Sequence, residues 1–492
     1  MKALLVYPEH PNTFWSFKHA LKFISRKASF PPLGLLTVAA ILPEKWEKKL
    51  VDMNTTSLSD KDIEWADYVF ISAMTIQKES VRKVLSRCKE NGVKTVLGGP
   101  LFRTEYEEFE AADHIILNEA EITLPAFLDD LEAGKPKHIY SSSQWAELKD
   151  TPAPLWSLIN MKNYASMNIQ YSRGCPFNCE FCDVTMLMGR KMRSKSAKQV
   201  VEELENLYLH GWRGEVFFVD DNFIGNKNKL KREVLPAIYE WQKKRKYPFS
   251  FITQSSVNLA DDEELMKMMV KSGFDAVFVG IETPDENSLA ECGKIQNRNR
   301  DLFACVEKIQ RSGMQVQGGF ILGFDSDPPS IFSRLIDFIQ NTGIVVAMVG
   351  LLNAPKGTRL YQRMMSESRI IKLITGSNTD LSMNFLPKMN YQELIEGYKS
   401  VIKTIYSPKY YYKRVITFLK RLDPLPKKKF RFNIYHIEAF IKSIWYLGIK
   451  EKGRFQYWKL FFWSLFRHPR FFPLAITFAI YGHHFRRVFE IT

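Results

Sequence analysis

The sequence predicts an α/β protein in three consecutive parts: a doubly wound domain, a partial (β/α)6 barrel and a mainly helical C-terminal region. Short apolar runs alternate with amphipathic helical patterns over residues 1–140, which is typical of a parallel sheet covered on both faces. Six further strand patterns recur at a spacing of roughly thirty residues over 166–385, as expected for a barrel. Residues 386–492 change to helical segments rich in aromatic and basic side chains.

The composition allows several folded domains and excludes some classes of protein. A chain of 492 residues can bury two or three cores, and 45% hydrophobic with 25% charged residues excludes wholesale disorder. Six cysteines are too few for a disulfide scaffold. The opening "MKALLVYP" leads directly into a strand pattern, so we expect no signal peptide and a reducing, cytoplasmic environment.

The net charge of +15 is concentrated at one end of the chain. Residues 401–492 hold 19 Lys and Arg against 4 Asp and Glu, so the preceding 400 residues balance to zero. This concentration predicts that the C-terminal region has a role of its own.

The first part contains five strand patterns, which are "ALLVYP", "KLVDMN", "YVFISAM", "KTVLGGP" and "HIILNE". Ligands of such sheets bind at the carboxyl ends of the strands. Small or polar residues stand at those ends: Asp52, Asn54, Ser72, Thr75, Gly98, Gly99, Asn118 and Glu119.

A polar, proline-marked linker is predicted at 141–165, and the barrel follows it at 166–385. Its strand patterns are "MNIQYSRG", "EVFFVDDN", "SFITQSS", "AVFVGIET", "QVQGGFILGF" and "VVAMVGLLN".

Three cysteines follow the first barrel strand, in the segment "YSRGCPFNCEFCDV". Cys175, Cys179 and Cys182 have the spacing C-x3-C-x2-C, which lets one loop bind three corners of a cubane iron–sulfur cluster. The alternatives are a structural zinc ion, which needs a fourth ligand, and three unrelated core cysteines. We predict packing roles for the other three cysteines, Cys88, Cys292 and Cys305.

"GCPFNCEFC" resembles the signature of the radical S-adenosylmethionine (SAM) superfamily, in which SAM occupies the open iron of a [4Fe-4S] cluster. The resemblance implies reductive cleavage of SAM and abstraction of hydrogen from a carbon atom. It extends to "VFFVDDNF", "TQSS", "VGIETP" and "GGFILGFDSD" in the later strands. The SAM-binding residues it implies are Phe181, Asp220, Asp221, Asn222, Gln254, Ser256, Gly280, Glu282 and Gly323. Gln254 is a departure, because relatives often carry a carboxylate there.

The first part resembles the cobalamin-binding domain of cobalamin-dependent radical SAM enzymes through "PPLGLLTVAAILP", "VDMN", "ISAMT", "LGGP" and "NEAEITLPAFL". The cobalamin-binding residues this implies are Asp52, Asn54, Ser72, Thr75, Gly98, Gly99 and Glu119. The motif D-x-H-x-x-G, whose histidine binds cobalt, is replaced by "VDMNTTSLSD" without a histidine. A dinucleotide-binding domain, which lacks its G-x-G-x-x-G here, and a domain without ligand are the alternatives.

The C-terminal region interleaves aromatic and basic residues in "SPKYYYKRVITFLKRL", "KKKFRF" and "FQYWKLFFWSLFRHPRFFPLAITFAIYGHHFRR". The longest uncharged run, Phe471 to His484, has 14 residues and is too short to span a bilayer. The pattern suits a helix lying in a membrane interface. A solvated basic helical face and a nucleic-acid surface are the alternatives.

Over its full length the chain most resembles the hopanoid C-2 methylase group, through "FPPLGLLTVAAILP", "LNAPKGTRLY" and "YWKLFFWSLFRHPRFFPLAITFAIYGHHF". The resemblance implies methyl transfer to an unactivated carbon of a hopanoid-like or isoprenoid membrane lipid. A lipid cyclase, an RNA or small-molecule methyltransferase and a sensor without turnover are the alternatives. We expect a ferredoxin or flavodoxin as reductant, no specific nucleic acid, and a peripheral location on the inner membrane face.

Overall fold

The computed structural model describes residues 1–377, 379–422 and 434–491. The basic segment "KKKFRF" at 427–432 lies outside the described residues. The predicted fold class is confirmed, because two parallel sheets with flanking helices precede a helical region.

The first sheet has six parallel strands in the order β2-β1-β3-β4-β5-β6. Its strands are β1 (Lys2–Tyr7), β2 (Glu47–Asp52), β3 (Tyr68–Ser72), β4 (Lys94–Gly98), β5 (His114–Ile116) and β6 (Ile139–Tyr140). The first five match the predicted apolar runs, and the two-residue β6 was missed. The order reverses between β1 and β3, where doubly wound sheets bind their ligands.

Helices cover both faces of this sheet. They are α2 (Leu33–Ile41), α3 (Asp60–Glu64), α4 (Lys78–Glu90), α5 (Pro100–Glu105) and α6 (Ala120–Glu132), whereas the short α1 (Lys18–Leu21) packs against the last helix of the C-terminal region. Alternate residues of β1 point to opposite cores. Leu4 and Val6 pack with α4, while Ala3 and Leu5 pack with α2 and α6.

The second sheet contains six parallel strands in sequential order from β7 to β14 and remains open, since β7 and β14 are not paired. Its strands are β7 (Met167–Ile169), β10 (Glu215–Phe218), β11 (Ser250–Ser255), β12 (Phe274–Glu282), β13 (Gln315–Leu322) and β14 (Ala347–Leu351). Between β7 and β10 in the sequence, β8 (Ser172–Arg173) and β9 (Arg193–Ser194) form a separate short antiparallel ladder.

The barrel helices alternate with these strands. They are α7 (Val184–Met188), α8 (Ala197–Leu209), α9 (Lys227–Lys229), α10 (Leu235–Lys244), α11 (Glu263–Ser272), α12 (Glu286–Glu291), α13 (Leu302–Arg311), α14 (Ile331–Thr342) and α15 (Arg359–Ser366). Sequence signals set several ends: Ser196 and Gln199 form a capping box on α8, and Gly273 ends α11 at φ +110°.

The C-terminal region consists of α16 (Tyr391–Tyr406), α17 (Pro408–Arg421), α18 (Ile434–Ser443), α19 (Arg454–Arg467) and α20 (Phe472–Val488), with a π-helical turn at Ile444–Lys450. It covers the edge of the barrel sheet. The hydroxyl groups of Tyr398 and Tyr406 donate hydrogen bonds to the carbonyls of Val349 and Ala347 on β14.

The uncharged run Phe471–His484 lies in this helical core and not at the surface. Ala475, Phe478 and Ala479 of α20 are buried, and Tyr411 of α17 donates a hydrogen bond of 2.7 Å to the Phe478 carbonyl. The expectation that this run supplies an interfacial helix is therefore corrected. In the described parts of the chain, no helix is both long and apolar enough to cross a bilayer.

Candidate functional site

A cavity of about 1100 Å³ lies between the first sheet and the barrel. This exceeds the usual range of small-molecule pockets, about 300–1,000 Å³. The cavity, called the main cavity below, is lined at the first sheet by strand ends and loops. Six of the seven predicted cobalamin residues line it: Asn54, Ser72, Thr75, Gly98, Gly99 and Glu119.

Gly99 forms a cradle at the end of β4. Its φ of +99° suits glycine alone, and an added Cβ would lie 2.7 Å from the Ser72 hydroxyl oxygen. The neighbouring Gly98 has room for a Cβ, whose nearest atom would be 3.4 Å away. The backbone at Gly99 therefore approaches β3 closely, and the strand ends leave room for a large, flat ligand.

Asp52, the seventh predicted residue, lies beside the main cavity and not in its lining. Its carboxylate accepts hydrogen bonds from the Tyr164 hydroxyl (2.9 Å) and from the Asn54 backbone and side-chain amides (2.9 and 2.8 Å). Burial raises the pKa of Asp52, against these bonds. Asp52 therefore orients Asn54 and joins the first domain to the segment before the barrel.

His10 is a cavity residue that the sequence reasoning missed. A histidine was sought after Asp52, but His10 follows β1, the strand next to the reversal of strand order. Its Nε2 lies 3.0 Å from the Tyr7 hydroxyl, and its backbone N–H donates to the Asn54 side-chain oxygen at 2.8 Å. Burial lowers the pKa of His10 to about 4, so its imidazole is neutral at pH 7.

Glu119 is held by two arginines from the barrel. Arg173 and Arg193 donate hydrogen bonds of 2.8–2.9 Å to its carboxylate, and all three side chains are largely buried. Arg173 also donates to Glu121 at 2.7 and 3.1 Å. Burial alone would raise the pKa of Glu121, but Arg173 holds it below its usual value. This group is called the interdomain clamp, because it joins the loop after β5 to the β8–β9 ladder.

The cysteine loop, residues 174–192, begins and ends at the β8–β9 ladder. Gly174 has a φ of +95°, and an added Cβ would lie 2.8 Å from the Lys191 carbonyl oxygen. The Cys175 N–H donates to the Gly189 carbonyl at 3.2 Å, which narrows the base of the loop. Further along, the Glu180 carboxylate accepts hydrogen bonds of 2.8 and 3.0 Å from Arg363 of α15.

The three predicted cluster ligands lie together on this loop. Burial raises the pKa of both Cys175 and Cys182, and neighbouring Cys179 adds to each rise, whereas Lys294 opposes it. The Gln296 side-chain amide lies 3.7 Å from the Cys179 sulfur, and its oxygen is buried without a partner.

These thiols fit an iron–sulfur cluster better than a single metal ion. Within the described residues, no three His, Cys, Asp or Glu side chains are gathered as ligands of one ion. A cubane places each thiolate on a different iron, so its ligands need not converge as zinc ligands do. Asp183, which follows Cys182, lines the main cavity, so the two candidate sites are continuous.

The predicted SAM residues fall into two groups in the structure. Asp220 is fully buried and accepts hydrogen bonds from the backbone of Tyr171 (3.1 Å) and from both the backbone and the hydroxyl of Ser172. These bonds make Asp220 a support for the β8–β9 ladder. Asp221 lies within electrostatic reach of Cys175, and burial together with Asp220 and Asp183 raises its pKa to about 7.

Five further predicted SAM residues lie at or near the ends of β10, β11 and β12. Asn222 accepts hydrogen bonds of 3.3 Å from Ser256, and Gln254 lies on β11. Glu282 has a φ of +64° and forms a buried ion pair with Lys294. A Cβ at Gly280 would lie 2.4 Å from the Glu282 carboxylate.

Phe181 and Gly323 complete the set. The Lys294 ammonium lies 5.9 Å from the centre of the Phe181 ring. Gly323 has a φ of +103°, and a Cβ there would meet Leu394 and Met383 at 3.2 Å. Gly323 therefore serves the packing of the barrel against α16.

Sequence reasoning also missed Lys294, Gln296 and Asn297, which lie beside the cysteine loop. Asn297 donates hydrogen bonds of 3.0 and 2.9 Å to the carbonyls of Gly280 and Ile281. The only sequence signal was polar content: "GKIQNRNRD" carries charged and amide side chains, yet Lys294, Gln296 and Asn297 are buried.

Three protein-family profiles match the chain in the order of its parts. A B12-binding domain matches residues 23–128, the radical SAM superfamily matches 169–339, and a domain of unknown function matches 358–492.

Two curated relatives match almost the whole chain. Uncharacterized methyltransferase sll1242 of Synechocystis is 40% identical over 100% of this chain and 92% of its own length. Hopanoid C-2 methylase of Rhodopseudomonas palustris is 31% identical over 93% of this chain and 88% of its own length.

Solved structures share the fold at low sequence identity. The cobalamin-dependent SAM radical enzyme OxsB has a TM-score of 0.63 at 14% identity, covering 99% of this chain and 80% of its own. TsrM of Kitasatospora setae has a TM-score of 0.61 at 13% identity, covering 99% of both chains.

Proposed function

The chain belongs to the cobalamin-dependent radical SAM methyltransferase family that includes hopanoid C-2 methylase, and from this premise we propose that it methylates an unactivated carbon of a membrane lipid. The substrate class is a hopanoid-like or isoprenoid lipid. The predicted enzyme class is confirmed by the same family membership.

The cofactors follow from the two matched domains and confirm the prediction. The radical SAM domain implies a [4Fe-4S] cluster and SAM, and the B12-binding domain implies cobalamin. When bound, these groups supply radical abstraction of hydrogen and a transferable methyl group, which acid–base side chains cannot provide at an sp3 carbon.

We assign the protein's own groups to these cofactors as follows. Cys175, Cys179 and Cys182 hold the cluster, and Asp221, Asn222, Gln254 and Ser256 hold SAM beside it. Ser72, Thr75, Gly98 and Gly99 hold the corrin at the first sheet. Asp52, Asp220 and Glu119 position the loops that carry these groups, through the hydrogen bonds described above.

The lining of the main cavity at its barrel end carries the lipid proposal. Apolar side chains from three barrel strands, β10, β13 and β14, and from the chain before the barrel line it: Trp15, Phe30, Phe217, Val219 (which directly follows β10), Phe320, Ile321 and Met348. Asn168, Gln170 and Asn353 are polar groups of this end, and the charged residues Arg173, Asp183 and Lys195 line the cavity at and beside the cysteine loop. Such a lining favours a large apolar substrate with few hydrogen-bonding groups, and it excludes water from a radical.

The proposed setting is the inner face of the cytoplasmic membrane, where the basic aromatic C-terminal region meets lipid. A ferredoxin or flavodoxin supplies the electron for the cluster. No specific nucleic acid is part of this proposal.

The test is methyl transfer by the purified, iron–sulfur-reconstituted protein. With SAM labelled in its methyl group, cobalamin, a reductant and extracted lipid, label should enter lipid. An unlabelled lipid with a new ring or carbon–carbon bond would instead identify a cyclase, and label in RNA would identify an RNA methyltransferase. Absence of 5′-deoxyadenosine would contradict hydrogen abstraction by a radical derived from SAM.

A substitution in the apolar lining sharpens this test. We expect Met348→Glu to lower lipid methylation at least about tenfold, because a carboxylate at a half-buried apolar wall must be desolvated when lipid binds. Met348→Leu is the matched control and should keep most of the activity. Equal activity of the two variants would place the substrate elsewhere.

A further inference from the structure

Two C-terminal elements form a helical hairpin whose outer face is apolar and exposed. The hairpin consists of α18 with its π-helical turn, followed by α19. Ser443 and Tyr457 share a hydrogen bond of 2.9 Å across it, and the Trp458 indole donates to the Gly448 carbonyl at 2.9 Å. Phe440 and Phe461 each pack against Phe472 of α20, so the inner face of the hairpin is covered.

The outer face carries large apolar side chains at helical spacing. On the first arm, Ile437, Ile441, Trp445 and Ile449 recur every four residues and are all exposed. On α19, Phe455 is 73% exposed and Phe466 is 76% exposed, with Phe462 stacked on Phe466 at 6.1 Å between ring centres. Large exposed apolar side chains repeated along two packed helical arms are typical of an interaction site.

The cations of this face have no acidic side chains to balance them in the described part of the region. Lys450 lies 5.0 Å from the ring centre of Trp445, and the Arg454 guanidinium lies 5.4 Å from that of Phe455. Lys452, Lys459, Arg467 and Arg470 are exposed around the same aromatics.

The acidic groups of the hairpin are already engaged within the protein. Glu438 accepts from Ser25 and pairs with Lys442, and Glu451 pairs with His483 and Arg486. The outer face is therefore apolar at its centre and positive at its rim, which complements acyl chains under anionic headgroups.

The hairpin also contacts residues 22–25, and the residues on either side of this segment form one wall of the main cavity. Lys442 donates a hydrogen bond of 2.8 Å to the Lys22 carbonyl, Ser25 donates one of 2.5 Å to Glu438, and the Phe23 ring lies 5.7 Å from that of Tyr446. Four residues before this contact, Thr13, Trp15, Ser16 and Lys18, and the residues after it from Lys27 to Leu33 line the main cavity.

We propose that the outer face of this hairpin docks on an anionic phospholipid bilayer, and that its contacts with residues 22–25 hold the wall of the main cavity next to the membrane, where lipid substrate passes into the site. The passage of substrate rests on the proposed function, whereas docking does not. The proposal narrows the sequence-based expectation, which covered both α19 and α20, because α20 is largely buried and the hairpin before it supplies the surface.

Docking is tested by flotation of the full-length reconstituted protein with vesicles. We expect the protein to float with phosphatidylcholine vesicles that contain phosphatidylglycerol, less with phosphatidylcholine alone, and less again at high ionic strength. The triple variant Phe455→Ser, Phe462→Ser and Phe466→Ser should lower the bound fraction at least about tenfold. Leu209→Ser, at an exposed leucine at the end of α8, is the matched control and should bind like the wild type.

The readouts separate docking from catalysis. Because all three phenylalanines are exposed, the triple variant should keep the wild-type circular dichroism spectrum and melting temperature. It should methylate lipid presented in detergent micelles at the wild-type rate but lose methylation of lipid presented in vesicles. If no lipid is methylated in either form, the proposed function fails while flotation still reports on docking.

Three results would overturn the docking proposal. One is wild-type protein that does not float with anionic vesicles, and another is a triple variant that floats as well as the wild type. The third is a wild-type dimer that the triple variant converts to a monomer without a change in vesicle binding, since the face would then cover a second copy of the chain.

Discussion

The two cofactor sites differ in how far the protein alone completes them. At the first sheet, glycine and small side chains leave a large preformed cavity. At the cysteine loop, three surrounding carboxylates are already bonded to protein groups: Asp220 to Ser172, Glu180 to Arg363 and Glu282 to Lys294. At the first site the protein forms a large cavity for its ligand. At the second site, hydrogen bonds and ion pairs from several elements hold a short loop in place.

This difference teaches where each site is sensitive. Substitutions that add atoms should impair ligand binding in the cavity at the first sheet. Substitutions that remove charges or cysteine ligands should impair the cysteine loop. The interdomain clamp connects the two, because Glu119 belongs to the first domain and Arg173 lies two residues before Cys175.

Removal of the three thiols gives the largest expected effect, confined to one site. Replacing Cys175, Cys179 and Cys182 together by alanine should abolish iron binding and the broad absorption near about 400 nm that iron–sulfur clusters show. Cobalamin binding should persist, because the cavity at the first sheet does not use these side chains. Cys305→Ala is the control and should retain the band. Persistence of the band in the triple variant would reject these three ligands.

Breaking the interdomain clamp should give the next largest effect, on stability. Arg173→Met leaves Glu119 and Glu121 buried with less compensation, which costs about 3–5 kcal/mol in the free energy of unfolding at pH 7. Lys198→Ala removes an exposed pair with Glu202 and should cost at most about 0.5 kcal/mol. Denaturant unfolding of both variants measures the difference.

The pH dependence of that loss has a definite sign. Arg173 lowers the pKa of Glu121 in the folded protein, so its stabilisation is fully present above the unfolded value of about 4.3. It is lost as the pH falls through the lower folded pKa. The gap in stability between the wild type and Arg173→Met should therefore narrow below about pH 4. A gap that widens with acid would contradict the pairing.

An added methyl group at the first sheet should give the smallest effect. Gly99→Ala introduces strain of about 1–3 kcal/mol and a contact with the Ser72 hydroxyl, which should weaken cobalamin binding about five- to 150-fold. Gly134→Ala is the control, because its φ of +70° brings similar backbone strain while nothing lies within 4 Å of the added Cβ and the residue is outside the cavity lining, so it should bind nearly as well as the wild type. Spectral titration with cobalamin compares them, and equal affinities would remove Gly99 from the site.

Much of the fold was predictable because apolar runs in parallel strands are buried on both faces. The first five strands of the first sheet and all six of the barrel appear where such runs predicted them, while two-residue β6 is too short to leave a pattern. The uncharged run Phe471–His484 was misplaced for a related reason. An aromatic, uncharged helix has the same composition whether protein or lipid covers it, and only packing distinguishes the two.

Site residues could be predicted where they are close together in the sequence. They could not be predicted where a side chain pairs with a residue that is distant in the sequence. The three cysteines are close in sequence, so their spacing was sufficient. Glu119 pairs with an arginine 54 residues later, and no local pattern signals that bond. Asp220 and Asp221 are adjacent and chemically alike. Only the fold shows that Asp220 supports the β8–β9 ladder, whereas Asp221 lies near Cys175.

The unpaired edge strands of the barrel sheet have a consequence for the space at the barrel end of the main cavity. A closed barrel joins its first and last strands by hydrogen bonds, whereas here both edge strands line the cavity, through Asn168 on β7 and Met348 on β14. The separation of these two strands, and not a ring of backbone hydrogen bonds, therefore sets the width of this end of the cavity.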